Sequence, residues 1–505
     1  MLRLRSFMDY LSYYEKFIRN DVEDVKQYVP NSECIKFLLD NAPRLYCPDK
    51  TIEETFAFRC FTMRKHIMKT EAGFLLSEFL VKCHLPWAGK YNTINAPLTH
   101  HLNEFRWLGC SDLLLDYIDF FIKGEGSVYG EGSAFAYSTP ALSAMYHFCV
   151  ATGNESYLAS NMEHFEKYFL EFERRHITDC GLYRSVDDRE GMEYTVSGTT
   201  SDRRLTEGIR VLMNSCMFGD ALALSRIFAL SGDSEREAFY KRKAEEIKSL
   251  VDSLLWEEGF YRSLHPKDEI LDKELDFSRV SSEQNARELT GYIPWCFGLP
   301  DKGKEEVFKL LFDENVFKAK CGLATADISH ERFMFYHERA CTWNGKVWPY
   351  ATSYAINAVI ELLNSYDQSV IDNSHLYSLV SDYANMHYST EGGRRINFID
   401  EVMLPDEPIW DAREKAKLGK YEPTGGKNRG KDYNHSTFID LVLRGLCGID
   451  TESKELSVKP KIKGIWCWFK IENLSYRKKR YDVYYDEDGS VFGKGSGVII
   501  EERNS

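Results

Sequence analysis

The chain has 505 residues, 43% of them hydrophobic and 28% charged, which is the composition of a globular protein with a large core and no need of disulfide staples. A formal net charge of −14 disfavours a general nucleic-acid binder, which carries a basic face. No run approaches the roughly 18 uninterrupted apolar residues of a membrane span.

Along the chain, the first segment, Met1 to Tyr10, has arginines but no apolar h-region or small-residue cleavage site, and helix-like sequence begins by Tyr10. The 13 cysteines include no CxxC pair, so neither a zinc ribbon nor a thioredoxin-type site is indicated. Free thiols without a leader give the expectation of a reducing cytoplasm. His100 and His101 could share a helical face with Glu104 as metal ligands, but a polar network at a cleft wall fits them better.

Helix patterns then recur. Met162, Phe165, Tyr168, Phe169 and Phe172 are spaced three and four apart, as are Ile247, Leu250, Val251, Leu254 and Leu255. Pro349 to about Tyr366 carries Ala355, Val359 and Leu362 on one face. Phe438, Leu441, Val442 and Leu446 run up to Gly448, a helix stop. Ala151-Thr152-Gly153-Asn154-Glu155 and Leu230-Ser231-Gly232-Asp233-Ser234 read as two copies of one helix-to-helix turn. Each is followed by an aromatic strand signal, Gly181-Leu182-Tyr183-Arg184 and Gly259-Phe260-Tyr261-Arg262, which gives a period near 80 residues. Repeated helical hairpins bury their apolar faces only by stacking, in an open solenoid or a closed toroid. The long segments 179–203 and 390–436 favour a toroid whose loops build a site at one end. From about Leu456 the pattern changes to short β-like runs at 456–458, 469–471, 481–485 and 497–500, with Asp488-Gly489 as a turn signal.

No nucleotide-binding fingerprint, HExxH or GxSxG elbow is present. What remains is acid and aromatic chemistry in loops. Asp187-Asp188-Arg189-Glu190-Gly191-Met192-Glu193-Tyr194 is one acidic loop, and the segment from Asn397 to Asp406 is another. Two carboxylates from distant loops over one pocket suit glycoside hydrolysis, in which one donates a proton to the leaving oxygen and the other activates water or attacks. Singly, each acid also fits a solvated loop. Trp87, Trp107, Trp295, Trp343 and Trp348 lie near Gly, Pro or Arg, where indoles can stack on the apolar faces of sugars or fill the core.

Several blocks together resemble the six-hairpin, (α/α)6-toroid glycoside hydrolases, closest to the glycoside hydrolase family 63 clan and its bacterial relatives, over roughly residues 50–500. Arg184 through Gly198 resembles the loop that holds the clan's general acid, with Glu193 where an Asp is usual. Trp343-Asn344-Gly345-Lys346-Val347-Trp348 resembles a sugar-lining Trp-x-Gly-Pro-x-Trp segment, with Lys346 in place of Pro. His100 to Trp107, Arg287 to Trp295 and Asp432 to Phe438 resemble recurrent blocks of the bacterial relatives. For the general base the resemblance leaves two candidates, Glu401 ahead of Pro405 and Trp410, and Glu422 in Glu422-Pro423-Thr424-Gly425.

The resemblance implies an (α/α)6 toroid over residues 1–450 with a small C-terminal β-domain over 451–505. It implies an exo-acting, inverting glycosidase that cleaves a terminal bond of an oligosaccharide or other glycoside, with Glu193 as acid and Glu401 as base. Trp87, His101, Arg106, Trp107, Trp343, Asn344, Gly345, Trp348, Tyr433 and His435 are the expected sugar-binding residues. No cofactor or metal is needed for this chemistry, and no nucleic-acid or membrane partner is expected. Two other readings remain. Arg394 and Arg395 near Glu401 could hold phosphate in a related sugar-active toroid, a phosphorylase, epimerase or lyase, and the helical repeats could form a non-catalytic binding scaffold.

Overall fold

The computed structural model describes residues 2–123, 136–264 and 282–503. After an N-terminal helix, Leu2–Asn20, twelve helices alternate between an outer and an inner layer among the described residues. They are α1 (Lys50–Lys65), α2 (Leu98–Phe105), α3 (Leu114–Ile122), α4 (Ala141–Thr152), α5 (Met162–His176), α6 (Val211–Ser231), α7 (Ser234–Leu254), α8 (Leu289–Phe297), α9 (Glu305–Phe312), α10 (Pro349–Ser365), α11 (Asn373–Met386) and α12. The last begins as Phe438–Asp440 and continues as π-helical turns over Leu441–Leu446, while α8 and α9 are wound as 3-10 helices.

The even-numbered helices touch in cyclic order, α2 to α4 and so on to α12, and α12 returns to α2. The helical hairpins therefore close into an (α/α)6 toroid rather than a solenoid. Position in the ring explains the sequence patterns. Inner α6 is packed on all sides, so it is apolar all round; by length and composition it could cross a membrane, yet 89% of its most apolar window is buried inside the fold. Outer α5 buries only Phe165, Tyr168, Phe169 and Phe172, the three-and-four-spaced stripe seen in its sequence. Gly153 and Gly232, both left-handed, end α4 and α6, and Asp233 caps α7 by accepting the Arg236 N–H. The two similar segments are thus equivalent corners of the ring.

A four-stranded antiparallel sheet flanks the toroid, in the order β1 (Arg44–Tyr46), β2 (Trp468–Tyr476), β3 (Lys479–Asp486), β4 (Gly497–Glu502). Three of the four β-like runs near the end of the chain lie in it. The fourth, at 456–458, instead contributes Ser457–Val458, which pairs with Ile449–Asp450. The edge strand β1 comes from ahead of the toroid, so the sheet joins the two ends of the described chain. The tight β2–β3 turn is Arg477-Lys478, both residues left-handed with φ of 47° and 68°. Its conformational cost is offset where the turn meets the carbonyl end of α4. Arg477 donates its backbone N–H to the Ala151 carbonyl and its guanidinium to the Val150 carbonyl, each at 2.9 Å. Lys478 reaches Asp112 and Asn154, both at 2.7 Å. Cations at a helix C-terminus also complement its dipole.

Candidate active site

The loop between α5 and α6 is held by buried acids. Asp187 accepts from the Thr195 N–H (3.1 Å) and the Thr195 and Thr199 hydroxyls (3.2 and 2.9 Å). Glu190 pairs with Arg210 at 2.5 Å, and Glu288 accepts the Ser197 N–H and hydroxyl at 2.9 and 2.6 Å. With its neighbours tied down on both sides, Glu193 faces a cavity of the toroid. Its backbone carbonyl accepts the Trp343 N–H at 3.0 Å. Tyr194 follows it at φ 61°, a left-handed conformation that costs a bulky residue energy and that the surrounding network enforces. The Glu193 Oε2 accepts from the Cys341 thiol at 2.9 Å.

Glu401 reaches the same cavity from the segment that follows the Tyr388–Glu391/Arg394–Asn397 hairpin. Met403 and Val347 exchange backbone hydrogen bonds at 2.9 and 3.0 Å, which ties this segment to the strand-like entrance of α10. Asp400 caps the Glu401 N–H at 2.8 Å. Position 430 must be glycine, since a Cβ there would sit 1.9 Å from Asp400 Oδ1. The adjoining Arg429 lies 3.6 Å from Glu401, its guanidinium over the rings of Tyr421, Trp87 and Phe79.

The two carboxyls sit in different electrostatic surroundings. Burial pushes both above the usual carboxylate range. At Glu401 the Arg429 guanidinium opposes that shift, whereas at Glu193 the chief opposing partner is the Cys341 thiol. Asp400 is pushed up to about 7 by burial and by the neighbouring Glu401.

Glu193 and Glu401 line a cavity of about 740 Å³, together with Trp87, Trp343, Trp348, Tyr433 and His435 of the residues expected from the sequence. Trp343 and Trp348 stack on each other, 4.0 Å between centroids and 12° apart, so they form one double wall rather than two sugar platforms. Trp343 Nε1, His435 Nε2 and Tyr421 Oη are buried here without a hydrogen-bond partner among the described residues. Unpaired polar atoms of this kind suit the hydroxyls of a bound sugar.

Five expected sugar contacts lie elsewhere. Arg106 forms a buried ion pair with Asp440 and lines a separate cavity of about 710 Å³. Trp107 is fully buried and donates to the same Asp440 carboxylate at 2.9 Å. His101 is buried behind the site, bonded to the Tyr117 hydroxyl at 2.9 Å and edge-on to His435. The Asn344 side-chain oxygen accepts the Phe335 and Tyr336 N–H groups at 3.3 and 3.1 Å. Gly345 is pressed against Phe333 at φ 141°. None of the five lines the cavity that holds Glu193 and Glu401.

Glu422 is exposed and does not line the cavity, and Arg394 and Arg395 are exposed on the hairpin outside it. Glu104 is taken by Arg59 at 2.8 Å and His100 by the Tyr350 carbonyl at 3.1 Å, a polar network in the wall. Among the described residues no group of three His, Cys, Asp or Glu side chains could hold a metal.

Sequence reading missed Glu78, Tyr137, Cys341, Tyr421 and Arg429, all of which line the cavity. Glu78 had a signal, a single acid beside Ser77 in the run from Phe74 to Val81 whose other residues are all apolar. Arg429 sits in a Gly-rich loop that reads as a plain turn, and Cys341 has no local signature. Lys346, standing where the related motif has Pro, has a structural task. Its ammonium is fully buried, 2.7 Å from Asp411, and donates to the carbonyls of Arg339, Ala340 and His337, holding the loop that carries Cys341.

A toroid whose cavity gathers paired carboxyls, stacked indoles and unpaired polar atoms is the architecture of a sugar-cleaving enzyme. The family model of the mannosylglycerate hydrolase MGH1-like glycoside hydrolase domain matches residues 90–436, more than half of the chain, and the chain belongs to that family of glycoside hydrolases. Among solved structures, a chain described as a sialidase is similar over 98% of this chain with 29% identity and a TM-score of 0.85; this chain spans only 43% of that one. A family GH78 rhamnosidase of Bacillus sp. GL1 is 12% identical, with a TM-score of 0.55 over 88% of this chain and 40% of that one. A GH63 mannosylglycerate hydrolase from Thermus thermophilus, in complex with glucose, is 11% identical, with a TM-score of 0.52 over 77% of this chain and 99% of that one. These last two likenesses concern the fold alone. No curated protein matches the sequence.

Proposed function

We propose that this glycosidase removes a terminal sugar from an oligosaccharide or other glycoside with inversion, Glu193 serving as general acid and Glu401 as general base. The observation that carries the assignment is the electrostatic asymmetry of two carboxyls in one cavity. Glu401 has a cation 3.6 Å away, which favours the ionised form a base needs. Glu193 has a thiol instead of a cation, so burial favours the protonated form an acid needs. In the forward reaction Glu193 gives its proton to the bridging oxygen as the glycosidic bond breaks. Glu401 takes a proton from water as that water bonds to the anomeric carbon on the opposite face.

Turnover of a panel of aryl glycosides, with the first-formed anomer read by proton NMR, tests this reading. Glu193→Gln and Glu401→Gln are each expected to lower kcat about 10²–10⁴-fold. Leaving groups that need no protonation, such as 2,4-dinitrophenol, should restore the first variant, and a small nucleophile such as azide the second. Retained configuration in the product, or near wild-type turnover by both variants, would sink the assignment.

A further inference from the structure

Besides Glu193 and Glu401, the cavity is lined by Asp188, Glu190, Glu338 and Glu78, and of these Glu78 is buried without an ion-pair partner among the described residues. Glu78 follows the strand Gly73–Leu76, is only 6% exposed, and lines the cavity. Its backbone is fixed by donation of its N–H to the Asn92 carbonyl at 2.8 Å. Its Oε2 accepts the Trp87 indole N–H at 2.8 Å, and no described residue bonds its Oε1. No cation lies within ion-pair distance among the described residues, although the Arg429 guanidinium is near enough to act on it. The other ionisable groups that face it are Glu401, Glu193, Tyr117, Tyr137 and Tyr433.

We propose that Glu78 is a specificity-determining residue of this site, with Trp87 fixing one carboxyl oxygen while the other oxygen meets a hydroxyl of the bound sugar. This deepens the glycosidase reading above and rests on it. A second ionised carboxylate beside Glu401 would be destabilised by both burial and repulsion, and these effects push Glu78 up to about 8. At neutral pH the group is therefore a neutral acid that can donate to a sugar hydroxyl while Oε2 stays bonded to Trp87. Bound sugar holds the proton in place. Ionisation of the free enzyme above about pH 8 removes that donor and adds negative charge to the cavity.

The test compares wild type, Glu78→Gln and Glu78→Ala on whichever p-nitrophenyl glycoside the wild type cleaves, across pH 5–10. Gln mimics the neutral acid, so Glu78→Gln should keep kcat within about threefold and lose the alkaline fall in kcat/KM near pH 8. Glu78→Ala should raise KM about tenfold or more with kcat little changed, as expected when a hydroxyl loses its partner. A hundredfold loss of kcat in Glu78→Gln, or an unchanged KM in Glu78→Ala, overturns the proposal. A second readout needs no turnover. Tryptophan fluorescence should titrate near pH 8 in wild type and not in Glu78→Gln or Trp87→Phe, and a flat wild-type trace also overturns it. If no glycoside is cleaved while the fluorescence titrates, the glycosidase assignment fails separately from the protonation of Glu78.

Discussion

Cys341 contributes the hydrogen bond on Glu193 at 2.9 Å, which occupies Oε2 as an acceptor. As the proposed general acid, Glu193 then carries its proton on Oε1. Donation by the thiol also favours the ionised acid once the proton has left. Removing the donor raises the Glu193 carboxyl further. Cys341→Ala is therefore expected to move the alkaline limb of the kcat profile upward and to lower kcat about threefold to tenfold through lost orientation. Cys341→Ser, which keeps a donor, should restore both. A kcat profile that does not move in the alanine variant would remove this role from the thiol. The measurement separates Cys341 from Glu78, because the first acts on kcat and the second on the free-enzyme term kcat/KM.

At the scale of single elements, the loop that carries Cys341 depends on Lys346. Its ammonium collects one carboxylate and three carbonyls in a place closed to water, and burial lowers it to about 8. Replacing it by Met keeps much of the volume but takes the ammonium from the Ala340 carbonyl and leaves the His337 and Arg339 carbonyls and Asp411 with Lys415 alone. Lys346→Met should cost about 3 kcal/mol in urea unfolding, the low end of the scale for breaking a buried pair by removing one partner, because Lys415 still pairs with Asp411. It should also lower kcat, since Cys341 is carried by the same loop. Full stability in the variant would show that Lys415 holds the loop without it. The glycines work in the opposite sense: Gly430 is needed for the absence of a side chain, because Asp400 fills that space.

At the scale of the whole molecule, pH acts through buried groups both in the site and away from it. His66 is held down to about 4, and His100 and His387 to about 3, because burial disfavours their charged forms. A folded pKa below the unfolded value near 6.5 means stability is full above pH 6.5 and is lost as pH falls toward 4 and 3, on the order of 3 kcal/mol for each histidine. Glu78 at about 8 and Asp400 at about 7 act oppositely: their stability is full below about pH 4 and is lost as pH rises to those values. Three histidines against two acids leave a net gain, so the melting temperature should rise modestly from about pH 4 to a maximum near pH 6.5 and decline above it; a maximum at pH 4 would contradict this. The same burial explains what the sequence could and could not reveal. Helix spacing in α5 and the Gly-Asn and Gly-Asp corners were legible because they are local. The two acidic loops were visible in the sequence itself, but the choice of Glu193 and Glu401 within them came with the family resemblance, since acids 208 positions apart carry no sign of meeting. Arg106 and Trp107 misled because a conspicuous motif on α2 points toward Asp440 on α12, a partner 334 and 333 positions away.

The sheet sets a timetable for the chain. Tyr46 on β1 faces Lys470 on β2, 424 positions later. At roughly 5–20 residues per second of synthesis, β1 waits about 20–85 s for its partner. All twelve ring helices emerge in that interval, so the toroid can assemble on the ribosome while an early strand is still unpaired. During this time Leu45, fully covered in the finished fold, has no sheet to cover it. Three residues make a short sticky edge, and its brevity is a safeguard against pairing with a neighbouring nascent chain.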